Sequence, residues 1–99
     1  MMRPGDVAPR LDTEHELYVA VLSNSMHLTA NTGRVITCPF IPGEIPADTM
    51  AMVVATERPR GVVVPELVQW LPVVALDAPI GNIGADAVHE TKTVLTALL

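Results

Sequence analysis

Two apolar runs constrain this chain more than any other feature: LYVAVLSN over residues 17–24 and GRVITCPF over residues 33–40. Both are rich in β-branched residues, and the single charge between them is Arg34. In the first run Leu17, Val19 and Val21 alternate with Tyr18, Ala20 and Leu22, so both faces of an extended chain would be apolar. Alternation points to a strand, and apolar character on both faces points to a central one. The short polar connection between the runs, ending Thr29-Ala30-Asn31-Thr32, allows the two strands to pair directly.

The remaining elements follow from punctuation. Nine prolines and six glycines leave room for a long helix only at the end. Val7 begins a short first strand after Pro4-Gly5-Asp6, and residues 12–16, DTEHE, form a polar loop that delivers the chain into the strand 17–23. The strand 33–40 is expected to stop where Pro39, Pro42 and Pro46 deny ladder donors, leaving a loop over 41–48. Residues 49–56 and 61–64 read as a hairpin across Glu57-Arg58-Pro59-Arg60. A further strand over 69–76 carries Pro72, the mark of an edge or a bulge. From Ala85 onward Gly and Pro are absent and Val88, Thr91, Leu95 and Leu98 share one helical face, which predicts the one helix of the fold. Gly84 is placed just outside it, Asp86 suits its positive end, and Gly81-Asn82-Ile83-Gly84 is read as a turn rather than an anion site. The expectation is a mainly β, α+β fold with one C-terminal helix, in a single domain over 1–99.

Apolar residues make up 49% of the chain, yet Phe, Tyr and Trp occur once each, so the core must be aliphatic. So much apolar surface in a small chain predicts a homodimer, with Trp70 in the core or at the dimer interface. Six basic residues against eleven acidic ones give a net charge of −5, which argues against nucleic-acid binding by bulk electrostatics. Any such contact has to be local. Arg58-Pro59-Arg60 is the densest basic group and reads as a solvated turn. The lone cysteine, Cys38, excludes an internal disulfide and is expected to be a small buried hydrophobe. No run approaches about twenty apolar residues, so a membrane span or leader is not expected and the cytoplasm is the default.

The two strand runs, their spacing, and the tail VPELVQWLPVVALDAPIGNIGADAVHETKTVLTALL together resemble the CcdB and MazF superfamily of toxins. The resemblance implies a compact antiparallel sheet of the SH3-like barrel type closed by a C-terminal helix. It also implies a homodimer, and a growth-arresting activity blocked by a cognate antitoxin. In the ribonuclease branch an arginine and a proline open the strand that matches 17–24, and a threonine or serine ends the next one. Here those positions are Leu17, Tyr18 and Ile41. The gyrase-poisoning branch is marked by Trp-Gly-Ile at the C-terminus, whereas this chain ends Ala97-Leu98-Leu99.

RNA cleavage without a metal requires a base for the 2′-hydroxyl, an acid for the leaving 5′-oxygen and donors for the charge on phosphate. If the two long strands pair, Ser23, Asn24, His27 and Arg34 converge at one end, while His15 and Glu16 lie at the other. Ser23, Asn24, His27 and Arg34 are therefore the candidate catalytic group. The three histidines and Cys38 show no zinc spacing, and no cofactor or metal is implied. The function expected is that of a toxin cleaving RNA, with a gyrase poison and a non-enzymatic dimeric binding protein as the alternatives.

Overall fold

The computed structural model describes residues 2–44 and 52–99. In chain order the elements are β1 (Asp6–Pro9), β2 (Tyr18–Val21), α1 (Ser25–Thr29), β3 (Arg34–Pro42), β4 (Val54–Glu57), β5 (Arg60–Val63), β6 (Gln69–Pro72), β7 (Gly81–Asn82) and α2 (Gly84–Leu98). The strands form one antiparallel sheet in the order β4-β5-β3-β2-β1-β7, with β6 also paired to β3.

β3 is the hub. One edge pairs with β2 from Thr37 to Phe40. The other edge is shared: β6 takes Arg34 to Thr37, and β5 takes Phe40 to Pro42. Two partners on one edge of a nine-residue strand curl the sheet. The expected stop at Phe40 is corrected here, because β3 runs through Pro39 to Pro42. Antiparallel pairs alternate between hydrogen-bonded and non-bonded, and the Leu22 amide donates to the Ile36 carbonyl. Counting from there makes Val19–Pro39 a non-bonded pair, so the missing donor of Pro39 faces the β6-to-β5 handover, where no ladder bond is lost. Its carbonyl still accepts from the Val64 amide, at 3.0 Å.

Alternation along β3 splits the core. Cys38 and Phe40 join Val7, Ala20, Leu22, Val54 and Val63 on the face covered by α2, where Ile83 and Val88 complete the cluster. Val35 faces the other way, with Ala8, Val19, Val21, Leu71 and Leu76. Every residue of the two clusters except Cys38 and Phe40 is aliphatic, as the composition requires.

β2 is central, as expected, although its ladder is shorter than 17–23. The connection to β3 is not simply a loop, since one helical turn, α1, forms there, so α2 is not the sole helix. Its exit is built on Asn31 at φ 53° and Gly33 at φ 84°, two residue types that tolerate left-handed backbone. The hairpin is present as β4 and β5, although residues 45–51 of the expected loop and first strand lie outside those described. The strand expected over 69–76 ends at Pro72, and Val73–Ala75 forms a 3-10 turn. Among the described residues β6 pairs on one side alone, as an edge strand, in keeping with Pro72. α2 begins at Gly84 rather than after it; Val88 and Thr91 are buried as the helical face predicts, but Leu98 is exposed. Trp70 is not in the core: 57% of its surface is exposed.

Candidate functional site

The residues after β2 are held by a chain of short-range bonds that the local sequence supplies. Asn24 is extended and its side-chain carbonyl accepts the His27 amide at 2.8 Å, which caps α1. The capped turn carries the imidazole back over Ser23. The Ser23 hydroxyl, 2% exposed, lies 2.7 Å from His27 Nδ1 and accepts the Ile36 amide of β3 at 2.8 Å. Ser23 thus ties β2, α1 and β3 together at one point.

The other ring nitrogen, Nε2, points toward the β3 entry loop, with the Thr32 hydroxyl in loose reach at 3.5 Å. The ring is half-buried and meets the Trp70 indole edge to face, with centroids 5.4 Å apart at 81°. Trp70 sits opposite Ile36 in the β3–β6 ladder, and that register brings it to the histidine. Arg34 opens β3 two residues beyond Thr32, is exposed, and forms no ion pair among the described residues. The expected convergence at this end therefore has bonded geometry for Ser23, Asn24 and His27, with Arg34 on the adjoining loop exit. Thr32 and Trp70 join the site without having been expected there. In the sequence Thr32 is only a polar residue of the connection, and Trp70 depends on a pairing 34 residues away that no local pattern reveals.

A hydroxyl can accept as well as donate, so Ser23 can hold Nδ1 in either protonation state of the ring. With Nδ1 anchored, Nε2 is the nitrogen left to exchange a proton with a ligand. The arrangement is a ring fixed at one nitrogen, with the other directed toward the loop from which Arg34 emerges.

At the opposite end of β2, a cleft of about 220 Å³ is lined by Leu17, Tyr18, Ile41, Arg10 and Glu16, among others. The positions where the resemblance implies arginine and threonine or serine therefore share one cleft, but hold Leu17 and Ile41. Arg10 is bound through two nitrogens to Asp12, at 2.9 Å each. This bond is the main reason that the guanidinium is raised and the Asp12 carboxyl lowered from their ordinary values. The Tyr18 hydroxyl donates to Glu16, which raises its pKa above the usual range. His15 and Glu16 belong to this end and do not join Ser23 and His27.

Cys38 is fully buried, and desolvation pushes its thiol up to about 12, so it is no nucleophile. Arg60 of the exposed 58–60 turn pairs with Glu44 at 2.9 Å. Among the described residues no group of three or more His, Cys, Asp or Glu could hold a metal, and no helix is long and apolar enough to cross a membrane.

Residues 5–98 match the family model of the type II toxin-antitoxin system toxin Rv0299. Toxin Rv0299 of Mycobacterium tuberculosis (strain ATCC 25618 / H37Rv) is 66% identical over 99 residues, covering 100% of this chain and 99% of that protein. Solved structures share the fold at lower identity. An endoribonuclease in complex with its cognate antitoxin from a mycobacterial species superposes with a TM-score of 0.79 at 19% identity, over 99% of this chain and 95% of that one. A MazE-MazF structure (Form-I) from Deinococcus radiodurans gives 0.79 at 20% identity, over 98% and 94% of the two chains. Mycobacterium tuberculosis toxin MazF-mt6 gives 0.65 at 16% identity, over 91% and 92%. The curled antiparallel sheet with its C-terminal helix is thus the MazF fold, and the chain belongs to the Rv0299 family of type II toxin-antitoxin system toxins.

Proposed function

We propose that this toxin arrests growth in the cytoplasm as a metal-independent endoribonuclease, working as a homodimer and restrained by a cognate antitoxin. The observation that carries the reading is the Ser23–His27 pair, with Nδ1 anchored at 2.7 Å and Nε2 left toward the loop from which Arg34 emerges. In the reaction Nε2 takes the proton of a ribose 2′-hydroxyl and the 2′-oxygen attacks phosphorus. The bond to the 5′-oxygen breaks as that oxygen takes a proton from water, leaving a 2′,3′-cyclic phosphate and a 5′-hydroxyl, and the imidazolium then returns its proton to solvent. Arg34 supplies the donor for charge gathering on the phosphate oxygens, the step at which a fixed cation counts most. The occurrence of this fold in an endoribonuclease bound to its cognate antitoxin, and in MazE-MazF, supports both the activity and the partner.

The test is incubation of the purified protein with RNA in the presence of a metal chelator. Cleavage to fragments with 5′-hydroxyl ends is expected, as is growth arrest on expression that a co-expressed antitoxin relieves. A protein that leaves RNA intact but traps gyrase on DNA would replace this reading, and one that accumulates in normally growing cells would leave a dimeric binding role.

A further inference from the structure

The net charge of −5 hides an uneven distribution. Two of the five arginines are neutralised by carboxylates, Arg10 by Asp12 and Arg60 by Glu44. Arg58 shares a groove with Glu57, Asp86 and Glu90. Arg3 and Lys92, in contrast, line one cleft of about 500 Å³ between the N-terminal segment, the start of α1 and α2. His89 and Ser25 line it too, and no carboxylate does among the described residues.

The cleft is built rather than incidental. The buried Asp6 carboxylate accepts the Arg3 amide at 2.7 Å and the Asn82 side-chain amide at 3.0 Å. That same amide donates to the Pro4 carbonyl at 2.9 Å, and the Asn82 carbonyl accepts the Gly84 amide at the head of α2, at 2.8 Å. Asn82 therefore clamps the N-terminal segment against α2 and holds Arg3 beside it. On the helix, His89 and Lys92 are three apart and share one face, whereas Asp86 and Glu90 are four apart and line the other groove. The helix thus turns its one lysine toward this cleft and two of its carboxylates toward the other groove. Asp6 is spent behind the cleft, and its charged lining is Arg3 and Lys92, set with His89 and the Ser25 hydroxyl around an apolar floor of Pro4, Ala85 and Val88.

We infer that this cleft binds the phosphate backbone of single-stranded RNA, feeding the strand past α1 toward His27. Ser25, on its wall, is two residues from that histidine on the same helical turn. The inference rests on the RNA reading above for the identity of the polyanion. It accounts for how an acidic protein holds an acidic polymer: the attraction is local, and carboxylates are kept on other faces.

The experiment measures binding of a fluorescently labelled oligouridine by anisotropy over a series of salt concentrations. It is done in a His27→Ala background so that cleavage does not intervene. Arg3→Gln and Lys92→Gln are introduced together; both side chains are exposed, and unchanged circular dichroism and unfolding check the fold. Affinity at low salt is expected to fall about tenfold or more, and the slope of log affinity against log salt to shrink by about 0.7 for each phosphate that the protein no longer neutralises. Unchanged affinity and slope would overturn the proposal, as would a polyglutamate of equal charge that binds more tightly than RNA. Binding that depends on Arg3 and Lys92 in a chain whose parent cuts no RNA upholds the cleft while removing the catalytic reading.

Discussion

The Ser23 hydroxyl and His27 Nδ1 are 2.7 Å apart, and the same hydroxyl receives the Ile36 amide at 2.8 Å, so one buried oxygen couples the sheet ladder to the imidazole. Ser23→Ala removes both bonds at once. Leaving the Ile36 donor without a partner is expected to cost roughly 1–3 kcal/mol, read from urea unfolding. In RNA cleavage, kcat should fall further than KM rises, because a freed ring loses its aim while the strand still binds. A variant that is less stable yet cleaves at the parent rate would show the bond to be structural alone.

Arg34→Ala tests the charge-assisted donor. The side chain is exposed and unpaired among the described residues, so its removal should leave the unfolding midpoint nearly unmoved. A donor directed at transition-state phosphate is worth on the order of 3 kcal/mol, so cleavage should slow a hundredfold or more. Single-turnover kinetics on purified protein reads the effect, and equal rates for variant and parent would remove Arg34 from the site.

Cys38 makes the opposite prediction, of silence. Burial raises the thiol from 9.0 to about 12, so the folded protein should resist thiol reagents at pH 8.5 and react only when urea unfolds it. The sign of the pH effect follows from the same shift. Between 9.0 and about 12 the folded state keeps a proton that the unfolded state releases, so stability is at its full value below pH 9 and declines as pH rises through that window. Tyr18, raised by its bond to Glu16, adds a decline of the same sign above its ordinary 10.0. Cys38→Ala should therefore flatten part of the alkaline loss seen in urea midpoints, and an unchanged slope would contradict the shift.

Gly61 has a steric rather than a conformational reason to be glycine. It pairs with Pro42 on β3, and an added Cβ would run into the Ile41 carbonyl oxygen and lie 2.6 Å from the tip of the Phe40 ring. The backbone cannot yield as a flexible side chain would. Gly61→Ala should destabilise the fold by about 1–3 kcal/mol, measured by thermal or urea unfolding, with β5 prised from β3.

Periodicity is legible in this sequence, and register is concealed. Alternation through 17–24 and 33–40 is enough to pair β2 with β3 and to bring Ser23, Asn24, His27 and Arg34 to one end. The one-turn helix α1 escapes because Ser25–Thr29 is too short for a repeating apolar face, leaving the Asn24 cap as its only local signal. Pro39 misleads for a different reason: a proline stops a ladder only where its nitrogen faces a partner, and here it faces a gap between two partners. Of the two places pattern allows Trp70, the core or a dimer interface, the core is excluded by its exposure, because apolar residues on an edge strand resemble core residues until the unpaired side is known. The basic cleft is invisible since Arg3, His89 and Lys92 are brought together by Asp6 and Asn82, residues far apart in the chain.

The exposed side of β6 carries the last prediction. Among the described residues β6 pairs only with β3, and Trp70 is accompanied by exposed Leu67 and Val68 before it and Val73 and Val74 after it, the last 86% exposed. An open strand edge with this much apolar surface is a template for association unless a partner covers it. If a second copy of the chain does so, Val74→Asp places a charge in the contact while leaving the monomer core untouched. Light scattering should then report a monomer at micromolar concentrations where the parent is a dimer, with circular dichroism and intramolecular unfolding unchanged. A Val74→Asp protein that remains dimeric would move the interface to another face. A parent that is monomeric would remove the homodimer and require the Ser23, His27 and Arg34 site to work within one chain.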